Sequence, residues 1–314
     1  MADFLVPGYG DKNRAFVQAI LGRNTFTWGS AQTLIAAISS AHSGQEVPID
    51  SINQEDLESY ITLANRALSP LDLEIRSTLH QTSRNRVYAL VNVASDPMTQ
   101  LATTYSADEI NFVKKMLDTM FNSNNRGRTE AMCISSIEVV QLSSKSTAKK
   151  LTGNEVEDLV RNLELEGWLE KSDAGFYALS PRALMELKGW LAETYNDVDE
   201  EDMDEEEAAS RRKIKSCHAC KEIITTGQRC ARRECPFRLH DICIQNFFRT
   251  QRSQVCPLCQ TAWDGKHYVG EKAFTTSDRY TGRNRNRATG GRPSAVRDNE
   301  AAQEEEDEES EGEA

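Results

Sequence analysis

Long apolar runs are missing from this chain: nowhere do the ~18 consecutive apolar residues of a membrane-spanning helix occur. The opening Met1-Ala2-Asp3-Phe4 lacks the basic start and apolar stretch of a secretory signal, so a cytosolic or nuclear address is expected. Cysteine is nearly confined to one stretch: of eight, seven lie between Cys217 and Cys259. Without a secretory signal no disulfide framework is expected, and clustered thiols point to metal. The remaining Cys133 sits among Ala131, Met132, Ile134 and Ile137 and reads as a small buried hydrophobe rather than a nucleophile.

Charges of one sign are absent from whole segments. Residues 197–207 carry nine acidic groups and no basic one, and residues 300–314 carry nine more acids. Between them, residues 208–299 hold 19 basic and seven acidic groups. Blocks of this density repel themselves and stay solvated, so 197–210 reads as an acidic linker. Residues 271–314, poor in apolar groups, with Arg283, Arg285, Arg287 and Arg292 ahead of the acidic run, read as a disordered charged tail.

What is present is periodic. Residues 11–95 read as three helices and a hairpin. Phe16, Val17, Ile20 and Leu21 form one helical face, Leu34, Ile35 and Ile38 a second. Leu57, Ile61, Ala64 and Leu68 form a third, opened by Asn53 as N-cap and stopped at Ser69-Pro70. The period then changes to two, through Leu73 and Ile75 and again through Val87, Ala89 and Val91. Residues 96–196 repeat the order. Ser106/Glu109 and Thr152/Glu155 have capping-box spacing. Met132 to Leu142 is expected to hold the helix between them, and Ser172-Asp173-Ala174-Gly175 to turn a hairpin. Ser180-Pro181 starts a last helix with Leu184, Leu187 and Leu191 inward. Three helices and a two-stranded wing, twice, is a tandem winged-helix plan in an α+β chain.

Winged helices often lay their third helix in a DNA groove. Here that helix carries Glu55, Asp56 and Glu58 against Arg66, and its counterpart Glu155, Glu157, Asp158, Glu164 and Glu166 against Arg161. Such faces repel phosphates, so protein docking is expected over groove reading. The Lys145, Lys149, Lys150 cluster is the one basic exception, read chiefly as solvated surface.

The metal pattern lies in 211–270. Its order is Cys217-x2-Cys220-x9-Cys230-x4-Cys235-x4-His240-x2-Cys243-x12-Cys256-x2-Cys259. Zinc takes four thiolate or imidazole ligands in a tetrahedron, and four ligand pairs fill two such sites. In a cross-brace the pairs alternate. Cys217, Cys220, His240 and Cys243 then hold one Zn2+, and Cys230, Cys235, Cys256 and Cys259 the other. Both sites are closed, so no catalytic residue is expected. His218, between two thiolates, reads as an exposed turn residue, and His42, His80 and His267 fall outside the pattern.

The spacing fits RING fingers and plant homeodomain fingers. Gln254 stands where the latter usually have an aromatic, and a basic domain suits a histone tail poorly, so a histone reader is the minor alternative. The Cys256-Pro257-Leu258-Cys259 ending is typical of RING fingers. A conjugating-enzyme face is expected from Ile223, Pro257 and Leu258, acting by positioning rather than chemistry.

Two winged helices followed by this variant RING, with Arg238-Leu239-His240-Asp241-Ile242-Cys243, Asn246-Phe247-Phe248 and Trp263, resemble the non-SMC element one family of the SMC5-6 chromosome-maintenance complex. The resemblance covers about residues 11–270. It implies a nuclear subunit that docks a MAGE-type subunit through its winged helices, with a kleisin subunit nearby, and serves DNA repair by homologous recombination. It also implies a RING-type ubiquitin transferase working with a ubiquitin-conjugating enzyme, and contact with DNA through the complex rather than directly. A non-catalytic, zinc-dependent assembly module is the alternative.

Overall fold

A computed structural model describes residues 7–93, 104–126, 129–144, 151–196, 208–209 and 211–276. Helices α1 (Asp11–Leu21), α2 (Trp28–Ser43) and α3 (Gln54–Leu68) form the first module with strands β1 (Phe26–Thr27), β2 (Leu73–Leu79) and β3 (Arg86–Asn92). Apolar side chains at helical spacing explain its core: Phe16 and Ile20 from α1, Ile35 from α2, and Leu57 and Ala64 from α3 are buried together with Ile75 and Tyr88 of the hairpin. Asn53 caps α3 by accepting the Asp56 N–H at 3.0 Å while the Asp56 carboxylate accepts the Asn53 N–H at 2.9 Å. The Asn65 side chain then fastens α3 to β2, pairing with both the N–H (2.7 Å) and C=O (3.1 Å) of Ile75.

The second module repeats the order with an insertion. Helix α4 (Ala107–Asp118) runs on through a π-helical turn, Thr119–Ser123, into the short strands β4 (Asn125–Arg126) and β5 (Thr129–Glu130). Then come β6 (Ile134–Ser135), α5 (Ser136–Ser144), α6 (Gly153–Leu165), β7 (Leu169–Lys171) and β8 (Phe176–Leu179). The strand orders β1-β3-β2 and β6-β8-β7 correspond, each with a two-residue strand on the outer side of the returning hairpin strand. Both expected capping boxes form. The helix expected from Met132 starts later, at Ser136: Met132 takes a positive φ of 46°, and Ile134–Ser135 extend to pair with Phe176–Tyr177.

The last helix is two, α7 (Pro181–Glu186) and α8 (Lys188–Tyr195), with Leu187 buried at the break and Leu184 and Leu191 buried on either side. Helix α7 lays Met185 on Ala89 and Val91 of the first hairpin. Arg182, stacked 4.8 Å over Trp168, reaches Asn24 of the first module at 3.3 Å.

The C-terminal region contributes β9 (Gly227–Arg229), β10 (Arg238–Leu239), α9 (Asp241–Gln251), β11 (Tyr268–Val269) and α10 (Glu271–Thr275). Order therefore extends past the expected limit at 270: the Phe274 ring lies 5.5 Å from that of Phe176, which anchors α10. The rest of the expected tail, most of the acidic linker, and Lys145, Lys149 and Lys150 lie outside the described residues. The strands assemble in the order β10-β9-β11-β5-β4, so one sheet is built from the C-terminal region and the second module together. Ile214, Ile223, Ile224 and Val269 belong to the same buried cluster as Met120, Leu187 and Leu191.

Candidate metal centre

Two matching turns start the site. In each C-x2-C segment the residue after the second cysteine, Lys221 or Gln260, takes a left-handed conformation (φ 64° and 58°). Its N–H returns to the carbonyl of the first cysteine, Lys221 to Cys217 at 2.8 Å and Gln260 to Cys256 at 2.9 Å. The first cysteine's own N–H is taken by Glu222 O and Thr261 O respectively, both at 2.8 Å. This curl turns both sulfurs of each pair to one point. Where β9 passes the ligand-bearing end of β10, a Cβ on Gly227 would stand 2.3 Å from Leu239 O, so only glycine fits.

The eight expected ligands gather into two groups of four, Cys217/Cys220/His240/Cys243 and Cys230/Cys235/Cys256/Cys259, with ligand atoms in each group within 4.8 Å of one another. Cys220 Sγ lies 3.2 Å from His240 Nδ1, Cys230 Sγ 3.4 Å from Cys259 Sγ, and Cys235 Sγ 3.6 Å from Cys256 Sγ. Tetrahedral zinc with ordinary bond lengths needs ligand atoms about 3.5–3.8 Å apart, so each group fits one ion, and the pairs interleave as a cross-brace requires. With Nδ1 turned to the sulfurs, His240 carries its proton on Nε2, which donates to Ile223 O at 3.2 Å. Bound zinc would tie β9, β10 and the first turn of α9 into one platform. All four positions of each site are protein groups, so the ions supply structure.

Around the second site Phe237, Phe247, Phe248 and Trp263 pack ring against ring, with centroids 5.4–5.8 Å apart. No spacing rule marks this aromatic core in the sequence, although three of its members lie among the residues that carry the resemblance. His218 is not a ligand, nor is it the exposed turn residue expected: its ring is half-buried 4.5 Å from Phe237 and its Nδ1 accepts the Arg238 N–H.

Ile223 departs from expectation. It is 4% exposed, inside the core shared with the second module, and cannot meet a docking enzyme. Its neighbours pull it inward because the loop from Ile223 to Thr226 is pinned by another domain. Of the other two expected face residues, Pro257 is half-buried and Leu258 is 51% exposed.

Arg238, two residues before the ligand His240, is 1% exposed and grips Glu130 of β5 with two of its nitrogens, Nε to Oε2 at 2.7 Å and Nη2 to Oε1 at 2.5 Å. Its Nη1 donates to Cys235 O and Phe237 O. Burial would raise the Glu130 pKa, but the Arg238 hydrogen bonds and charge, with Lys215 and Arg229, overcome this and lower it to about 2. Cys133 is buried as expected, and burial pushes its thiol up to about 12, away from reactivity.

Residues 13–187 match the family described as the Nse1 non-SMC component of the SMC5-6 complex, and residues 217–259 match a RING-like domain. The chain is 26% identical over 231 residues to the Bos taurus "Non-structural maintenance of chromosomes element 1 homolog", covering 74% of this chain and 77% of that one. It is 21% identical to the Schizosaccharomyces pombe "Non-structural maintenance of chromosomes element 1", over 84% of this chain and 96% of that protein. A solved chain of an "Nse1-Nse3-Nse4 complex" shares the fold, with a TM-score of 0.66 and 23% identity over 82% of this chain and 99% of its own length.

Proposed function

This chain belongs to the Nse1 family of non-SMC components of the SMC5-6 complex, and we propose that it is the RING-type ubiquitin ligase subunit of that assembly. In this reading it acts in the nucleus, in DNA repair by homologous recombination. Its winged helices dock a MAGE-type Nse3 subunit, with the kleisin Nse4 beside it, and DNA is reached through the complex. The acidic third helices support docking over groove binding.

The observation that carries the ligase reading is Leu258. It is a large apolar side chain held in the open on the last zinc turn, where a conjugating enzyme would meet a RING platform. Such a platform needs no nucleophile; it holds the loaded enzyme in a reactive pose. Leu258→Ala should cut ubiquitin-chain formation about ten-fold, the worth of one interface anchor, with zinc content unchanged. The assay uses the chain with its MAGE-type partner, activating enzyme and a broad panel of conjugating enzymes. No chains across the panel would overturn the reading.

One observation favours a second reading, a non-catalytic assembly module. The zinc domain is fused to the second module by a shared sheet and a buried ion pair, as a purely structural element would be. There Leu258→Ala would leave repair intact, while Cys256→Ala would dissolve the complex.

A further inference from the structure

Gln81 stands in the turn of the β2–β3 hairpin, in the first module, yet its side chain is committed to the zinc domain. Its Nε2 donates to Ile223 O at 3.0 Å. Its Oε1 accepts from Thr225 N at 3.0 Å, Thr226 N at 2.9 Å and Thr225 Oγ1 at 3.3 Å. The loop so held lies between the ligand pairs Cys217/Cys220 and Cys230/Cys235. Its carbonyl at Ile223 is the same one that receives His240 Nε2 at 3.2 Å. One acceptor therefore serves both a metal-facing imidazole and a carboxamide from another domain.

The orientation of a ligand imidazole is fixed by the hydrogen bond its other nitrogen makes, and loss of such a partner weakens metal binding about 10–100-fold. Ile223 and Thr225 are themselves buried, 4% and 5% exposed, while half-buried Gln81 holds their polar groups at the edge of a cleft that also reaches His240. We propose that Gln81 is a positioning residue of the histidine-containing zinc site: it holds the Ile223 carbonyl that aims His240, so the first module helps retain that ion. Cys220, a ligand of this site, is itself exposed, so the ion is open to competing chelators and its retention rests on how well His240 is held. The all-cysteine site is braced differently, with Thr261 Oγ1 3.2 Å from Cys259 Sγ and Arg238 bonded to Cys235 O.

The test uses the full chain. Gln81→Glu is nearly isosteric and keeps an acceptor for the loop amides, but it turns an oxygen instead of an N–H toward Ile223 O. Zinc transfer to a chromogenic chelator is followed. Cadmium-113 substitution read by NMR tells the histidine-containing site from the all-cysteine site by chemical shift. One of the two ions should be held at least about ten-fold more weakly, and the perturbed cadmium signal should be that of the histidine-containing site. Gln81→Asn, with both groups on a shorter arm, should give the same selective loss. Glu170→Gln takes the charge out of the neighbouring contact of the same turn, with His80, without touching the loop; it should leave both ions as in the parent. Unchanged retention in both Gln81 variants, equal weakening of both ions, or equal weakening in Glu170→Gln would each overturn the assignment.

Discussion

Glu130 and Arg238 show how much one pair decides. Both are buried, and their chain positions are 108 residues apart, so the pair joins two modules rather than bracing one. Removing one partner leaves a buried charge unmatched, at a cost of about 3–5 kcal/mol. Arg238→Met should therefore lower Tm on the order of 10 °C for a body of this size, measured by calorimetry on the zinc-loaded chain. Glu130→Met together with Arg238→Met should recover part of that loss, because an apolar pair needs no counter-charge. Recovery stays partial since Cys235 O and Phe237 O lose their donor. The pH sign follows from the lowered Glu130 pKa, about 2 against an ordinary 4.5. The stability it contributes is complete above pH 4.5 and is lost as pH falls toward 2. The gap between the parent chain and Glu130→Gln should be flat from about pH 7 down to that ordinary value and shrink below it. Because thiolates also protonate there and release zinc, the difference between the two chains is the quantity to follow. Nothing in the sequence marked this pair: Glu130 is one acidic residue among many, and its partner is set only by packing.

The first hairpin is the element that meets both the second module and the zinc domain. Its turn carries His80, whose Nε2 lies 3.2 Å from Glu170 on β7, beside Gln81 on the zinc loop. The hydrogen bond to Glu170 raises the His80 pKa above its usual 6.5 despite opposing burial. This contact is thus fully present below pH 6.5 and fades as pH rises through the raised value. Hydrogen exchange of the turn amides should quicken as pH rises above 6.5, beyond the intrinsic rate change, and Glu170→Gln should remove that extra step. The first hairpin was legible from its period-two alternation, the second from its turn residues Ser172 to Gly175, and α3, α4 and α6 from their caps and helical spacing. The strands Phe26–Thr27 and Ile134–Ser135 were not: two residues carry no period, and only the returning hairpin defines them. The eight zinc ligands were legible because metal chemistry fixes residue type and spacing together. The face residue Ile223 was misplaced because its burial comes from another module, about which local spacing says nothing.

At the scale of the whole molecule, the zinc domain completes the second module. Ile214, Ile223, Ile224 and Val269 share a core with that module, and β11 pairs with β5 through Val269 and Glu130. Zinc removal should therefore lower the unfolding temperature of the modules as one cooperative body, rather than melt the C-terminal part alone. Calorimetry with and without a chelator should show a single shifted transition; two separate ones would contradict this. The shared sheet also has a consequence for synthesis. The β4–β5 pair leaves the ribosome well before its neighbour β11, so the nascent chain exposes an open strand edge while it waits. Unpaired edges are templates for mispairing with other chains. Joining elements so distant in sequence is also intrinsically slow. Production in cells should therefore respond to chaperone supply and to a slow pace of translation more than the thermal stability of the finished protein would suggest.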